Sequence, residues 1–131
     1  MHFFKTMLVL GTVTAFFVAS PALADPDFDE LVGKARAVDG DTLEFGFKRV
    51  DLWGADALER FQRCIVNGQT TACGADAWQV VTNLIAAGPI TCKVQGKNRY
   101  HRNMAICRNA NGIDIGQSMI ARGMAVARTD E

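Results

Sequence analysis

The chain has 131 residues, with 14 Lys and Arg against 14 Asp and Glu, and reads as one domain. A formal net charge of zero excludes a global basic field, so nucleic-acid binding cannot be argued from charge alone. The distribution is less even. No acid falls between Asp76 and Asp114, a stretch that carries Lys93, Lys97, Arg99, Arg102 and Arg108.

Residues 1–24 have the pattern of a secretory leader. A short basic start ends at Lys5, an uncharged and mostly apolar run spans Met7 to Ala19, and Ala22 and Ala24 stand at the small-residue positions of a cleavage site. The run is short for a membrane span. The expected mature domain is therefore residues 25–131, with net charge −1 and no stable membrane association, in the periplasm or secreted. A monomer is expected.

Leu31 to Val38 reads as a first strand, with Gly33 as a bulge. Thr42 to Phe45 and Phe47 to Trp53 read as the second and third. Side-chain alternation places Val50 and Leu52 on one face of the third strand and Arg49, Asp51 and Trp53 on the other. Asp56 to Thr71 is polar and irregular, with Asn67-Gly68 as a turn signal. Ala75 to Ala87 reads as a helix in which Ala77, Val80, Val81, Leu84 and Ile85 recur at helical spacing, and Gly88-Pro89 stops it. Ile90 to Gln95 and Asn103 to Arg108 form two more strands around a Gly-Lys-Asn-Arg-Tyr-His turn. Ile113 to Arg122 is a short amphipathic helix that uses Ile115, Met119 and Ile120, with Gly123 as its C-cap. Five short strands with a helix between the third and fourth give an α+β fold class: a five-stranded OB-type Greek-key barrel with two helices.

Cys64, Cys73, Cys92 and Cys107 make an even count in a small exported domain, which reads as two disulfides. Three pairings are possible. Cys64 and Cys73 bracket the irregular excursion, and antiparallel pairing of the last two strands brings Cys92 near Cys107, so those two pairings are favoured. A zinc site is the competing reading, disfavoured by the absence of Cys-x-x-Cys spacing and by a single histidine, His101, after the leader.

Two acidic clusters carry the candidate chemistry: Asp39-Gly40-Asp41-Thr42 and Gly54-Ala55-Asp56-Ala57-Leu58-Glu59. If the second and third strands are neighbours, Asp41 and Asp56 can reach one point, and two carboxylates with a backbone carbonyl and waters suit Ca²⁺. Glu59 is placed to accept a proton from a metal-bound water. Arg102, which closes the turn Asn98-Arg99-Tyr100-His101-Arg102, can hold a phosphate bidentately. Taken singly, each cluster is more simply explained as a turn or a solvated patch.

In order and spacing, Asp-Gly-Asp-Thr, Leu-x-Gly-x-Asp-Ala-x-Glu and Arg-Tyr-x-Arg resemble the staphylococcal-nuclease-like (thermonuclease) family over residues 31–128. The resemblance implies an OB-type barrel and a Ca²⁺-dependent phosphodiesterase that cuts DNA and RNA, prefers single strands and leaves 3′-phosphates. It implies Asp41 and Asp56 as calcium carboxylates, Ala57 as donor of a backbone carbonyl, Glu59 as general base and Arg102 as a phosphate-binding arginine. Tyr100 matches a tyrosine near the phosphate. Lys97 and Arg99 join it as candidate substrate contacts. The two disulfides are similar to those of exported bacterial members.

The departures from the pattern fall on the chemistry. Asp51 stands where the family has its first catalytic arginine, replacing a cation that neutralises phosphate by an anion that repels it. Losing one such donor costs on the order of 10²–10³ in rate. Arg49, two residues back on the same face, is a candidate substitute ligand, although pairing with Asp51 is the favoured outcome. Leu58 replaces a proline, His101 a glycine and Asn98 an aspartate. The family's later stacking tyrosines and last helix have no counterpart. The leading expectation is an exported nuclease-like protein with impaired hydrolysis. The alternatives are a non-catalytic OB module that binds single-stranded DNA, RNA or another anionic polymer, and a structural envelope protein.

Overall fold

The computed structural model describes residues 28–129. The leader lies outside them. In chain order the elements are β1 (Glu30–Gly33), β2 (Arg36–Ala37), β3 (Thr42–Phe45), β4 (Lys48–Leu52), β5 (Ala55–Ala57), β6 (Cys64–Val66), β7 (Gln69–Thr71), α1 (Cys73–Ile85), β8 (Ile90–Lys97), β9 (Asn103–Arg108), α2 (Ile115–Ala121) and β10 (Ala125–Ala127).

The fold is mixed α+β. Six strands form one sheet in the order β1-β8-β9-β4-β3-β2, and two small ribbons, β5–β10 and β6–β7, stand beside it. All pairings are antiparallel except β4 with β9, which run parallel with Leu52 opposite Ala105. The expected first strand is broken in two. Its first half pairs with β8 and its second half with β3, so the sheet's two edge strands are joined by only Lys34 and Ala35. Gly33 precedes the break with φ 152°, a backbone shape that favours glycine.

Four further strands were not expected. The excursion 56–71 begins with β5 and contains the β6–β7 hairpin, whose turn is the Asn67-Gly68 pair, both at positive φ. β10 falls in the residues after Gly123, where a three-residue Ala-Val-Ala strand leaves almost no periodic signal. The helix expected from Ala75 begins two residues earlier, at Cys73.

The core takes in most of the expected apolar stripes, with Val80 and Ile120 only partly buried. Leu43, Val50, Ile90, Val81, Ile115 and Met119 have no exposed surface, and Leu52 has 1%. The apolar stripe of α1 packs inward through Ala77, Val81, Leu84 and Ile85. Asp114 caps α2 by accepting from the Gln117 N–H at 3.0 Å. α2 ends at Ala121 with Arg122 as its C-cap, and Gly123 (φ 71°), the expected C-cap, follows one residue after it. The Gly123 N–H donates to Ile120 O and the Met124 N–H to Met119 O, both at 2.9 Å, which satisfies carbonyls that the helix end would orphan. Asn109, 7% exposed, ties the chain between β9 and α2: its amide donates to Leu84 O at the end of α1, and its carbonyl accepts from Asn111 and Ile113.

Both disulfides form in the favoured pairing, Cys64–Cys73 and Cys92–Cys107. Cys92 and Cys107 are direct cross-strand partners in β8 and β9. Disulfides belong to an oxidising compartment, here the periplasm or the outside of the cell. No helix among the described residues is long and apolar enough to cross a membrane.

Candidate functional site

The acidic clusters meet because of β3–β4 pairing. Thr42 lies opposite Asp51, and the Leu52 N–H donates to Asp41 O at 2.8 Å, so Asp41 is held beside the end of β4. The chain then turns through β5, and the Ala57 N–H donates to Asp41 Oδ2 at 2.9 Å. Gly40 makes this approach possible. A Cβ there would lie 2.7 Å from Ala57 Cβ and 2.9 Å from Ala77 Cβ, so only glycine lets the Asp39–Asp41 turn lie flat between β5 and α1.

Asp41 is buried enough that its pKa is pushed up to about 6. Desolvation is the main cause, and the charges of Asp51 and Asp56 add to it against the opposing hydrogen bonds from Ala57 and Thr42. This corner is therefore short of positive charge. Asp41 and Asp56 are the carboxylates expected from the sequence to hold Ca²⁺. Among the described residues, though, no three His, Cys, Asp or Glu side chains gather as a metal-binding group, so waters would have to complete the shell. Asp56 also pairs with Arg128, Nη2 to Oδ2 at 3.2 Å.

Asp51 has the most elaborate surroundings in the site. Its Oδ1 accepts from Thr42 Oγ1 at 3.0 Å and from Arg102 Nη1 at 3.1 Å. Its Oδ2 accepts from Asn98 Nδ2 at 3.1 Å and from the same Arg102 nitrogen at 3.3 Å. Arg102, the expected phosphate ligand, is thus engaged by a carboxylate of its own chain, and the Asp51 hydrogen bond and charge hold its pKa above the ordinary value. The expected Arg49–Asp51 pair does not form. Arg49 sits opposite Glu44 in the β3–β4 ladder and donates from Nε to Glu44 Oε2 at 2.6 Å, while Arg36 takes the other Glu44 oxygen.

Asn98 explains a second departure. Its Oδ1 accepts the Tyr100 and Arg102 N–H groups at 2.9 and 3.0 Å, which folds the basic turn, while its Nδ2 donates to Asp51. An aspartate at 98 could make the first two bonds, but it would set a second carboxylate against Asp51. The amide is therefore the complement of Asp51, and the two departures work as one unit. His101, in place of glycine, adopts φ 61° and serves as a turn residue.

Glu59 lies on an exposed loop that the sequence left irregular. The Arg60 N–H donates to Asp39 Oδ1 at 2.8 Å, the Glu59 N–H to Gln62 Oε1 at 2.7 Å, and the Gln62 N–H to Glu59 O at 2.9 Å. The Arg60 guanidinium stacks 3.8 Å from the Trp78 ring centroid. The Glu59 carboxyl is raised above the usual range by a hydrogen bond with Asp39, then by burial and the Asp39 charge, with Arg102 opposing and Asp51 adding. Glu59 therefore belongs to the same electrostatic cluster as Asp51 and Arg102. Leu58, in the proline's place, leaves the loop held by these contacts instead of by a ring.

Beside the acidic corner lies a cleft of about 560 Å³ lined by Trp53, Gly96, Lys97, Asn98, Arg99, Tyr100, Met104 and Arg128. Asn98 and Arg128 belong to both, through Asp51 and Asp56. Lys97, Arg99 and Tyr100 are thus brought together as expected, whereas Arg49 is not among them. Trp53, Met104 and Arg128 were not singled out from sequence. Trp53 could have been, because it shares the outward face of its strand with Asp51. Arg128 could not, since only the β5–β10 pairing, Val126 opposite Asp56, brings it in.

No family model matches the chain. The succinoglycan biosynthesis protein ExoI of Rhizobium meliloti (strain 1021) is 33% identical over 102 residues, covering 76% of this chain and 53% of that protein. The chain spans about half the length of the curated relative it matches.

Proposed function

We propose that the domain is an exported, thermonuclease-like module of the OB type in which phosphodiester hydrolysis is impaired because Asp51 holds Arg102. The barrel reading is supported by the sheet order: counted as one interrupted strand, β1 and β2 join the two edges across Lys34 and Ala35. The impairment rests on one observation, the contact of Arg102 Nη1 with both Asp51 oxygens. A phosphate that takes Arg102 Nη1 must displace a carboxylate that is already bonded to Thr42 and Asn98. Ca²⁺ on Asp41 and Asp56 would supply Lewis-acid charge to a phosphate when bound. Glu59 would take the proton of the attacking water, favoured by its raised pKa. Arg102, once released, would meet the charge that develops on the phosphoryl oxygens.

The test is cleavage of single-stranded DNA with Ca²⁺ and with a chelator, in the native protein, Asp51→Arg and Glu59→Gln. The expected result is little or no native cleavage and calcium-dependent cleavage in Asp51→Arg. Vigorous native cleavage that Glu59→Gln abolishes would overturn the impairment.

A second reading is favoured by the cleft. Trp53 and Tyr100 bring aromatic rings to the cleft and Lys97 and Arg99 bring cations, with the Arg99 guanidinium stacked 5.0 Å over Tyr100, a combination that suits single-stranded nucleic acid or another anionic polymer. ExoI is named as a succinoglycan biosynthesis protein, which adds succinoglycan to the polymers worth assaying. Salt-sensitive binding without cleavage in any variant supports this reading over the first.

A further inference from the structure

The two disulfides differ in what surrounds them. Cys92 and Cys107 are 0% and 1% exposed inside the sheet, closed to any reagent while the core is folded. Cys64 and Cys73 are only half-buried, at the rim where the Glu59 loop, the β6–β7 hairpin and the start of α1 converge. The loop rests on α1 through the Gly74 N–H, which donates to Gln62 O at 3.1 Å, and the Arg60 side chain, which lies on Trp78; its other anchor is the Arg60 N–H bond to Asp39 in the turn before β3. The hairpin beyond has little core of its own: Ile65 and Val66 are 77% and 52% exposed, and Phe61 just before it 87%. A two-stranded ribbon of this kind is marginal in water without a staple.

We propose that Cys64–Cys73 is a thiol-exchange site for a dithiol reductant, and that opening it releases the Glu59 loop from α1. A thiolate of the dithiol attacks Cys64 Sγ, the Cys64–Cys73 bond breaks, and a mixed disulfide forms on Cys64. Cys73 leaves as the thiolate. It is the first residue of the 13-residue α1, where the helix N-terminus favours an anion. The second thiol of the dithiol then resolves the mixed disulfide. The dithiol ends as a disulfide, and its two electrons and two protons end on Cys64 and Cys73 as thiols. With the staple gone, the hairpin loses its tether to α1, and with it the anchor of residues 59–63. The inference concerns the loop's attachment and holds whether or not the acidic site cuts phosphodiesters.

The experiment combines graded dithiothreitol, alkylation of released thiols and amide hydrogen exchange on the folded native protein. Cys64 and Cys73 should be alkylated at dithiothreitol concentrations that leave Cys92 and Cys107 unlabelled. Under those conditions the Arg60 and Gly74 amides should exchange at least about tenfold faster, while the Ala57 amide, bonded to Asp41, stays protected. A Cys64→Ser/Cys73→Ser variant should show the same exchange pattern without dithiothreitol. Simultaneous labelling of all four cysteines would overturn the proposal. So would selective reduction that leaves Arg60 and Gly74 as protected as before.

Discussion

Replacing Gly74 by alanine sets two effects of opposite sign against each other. A helix favours alanine over glycine by up to about 1 kcal/mol, so propensity alone predicts a more stable protein. Packing predicts the reverse. The new Cβ would lie 1.9 Å from Glu59 O, 2.9 Å from Gln62 O and 3.0 Å from the Arg60 carbonyl carbon, all backbone atoms that cannot swing aside as a side chain would. The loop must retreat by about 1.5 Å to reach ordinary contact. That retreat breaks the Gly74–Gln62 and Arg60–Asp39 hydrogen bonds and lifts Arg60 off Trp78. At about 1 kcal/mol for each hydrogen bond and a little less for the stack, the loss is roughly 2–3 kcal/mol, and the net destabilisation roughly 1–2 kcal/mol. For a domain of this size that lowers the unfolding midpoint by about 4–16 °C. Thermal unfolding followed by circular dichroism reads the midpoint, and hydrogen exchange at Arg60 reads the loop. A midpoint equal to or above that of the native protein, with Arg60 still protected, would refute the reasoning.

Asp41 carries a pH prediction. Its folded pKa of about 6 exceeds the unfolded 3.8, so the folded state binds the proton more tightly and stability falls as pH rises from about 4 to 6. Asp41→Asn should therefore raise the unfolding midpoint at pH 8 and lose that advantage at pH 4, as differential scanning calorimetry at the two pH values would measure. Arg102→Ala removes a pair whose arginine side chain is 43% exposed, so solvent screening limits the destabilisation to about 1 kcal/mol by urea titration. Arg49→Ala should leave the affinity for a single-stranded oligonucleotide unchanged, because that side chain is engaged by Glu44 on the β3–β4 ladder. Met119→Ala empties a site with no exposed surface and should cost about 2–5 kcal/mol in the same urea titration.

What the sequence carried well was the periodic part. The α1 stripe, the Gly123 stop, the cystine pairs and the alternation through Val50 and Leu52 all depend on local spacing, and local spacing is visible in one chain. What it carried poorly depends on partners far apart. The break after Gly33 splits one strand between two neighbours, β8 and β3, and only the full set of pairings reveals it. The ribbons β5–β10 and β6–β7 are three residues per strand, too short for a period to register. At the site, the sequence singles out Asp51 as a departure from the resembled family, but its expected partner is not the one it has. A two-residue spacing suggested Arg49. The cross-strand register gave Arg49 to Glu44, and the basic turn after β8 brought Arg102 to Asp51 instead. Asn98 looked like a minor change until its amide was seen to bridge the turn and Asp51.

The claim at the centre is that Asp51 holds the guanidinium that a phosphate would otherwise take. It is tested most directly by titrating inorganic phosphate while following the Arg102 side-chain nitrogens by NMR, in the native protein and in Asp51→Asn. The expected result is no saturable shift of the native Arg102 resonances at millimolar phosphate and a clear saturable shift in Asp51→Asn. An equal, saturable shift in both proteins would contradict the claim.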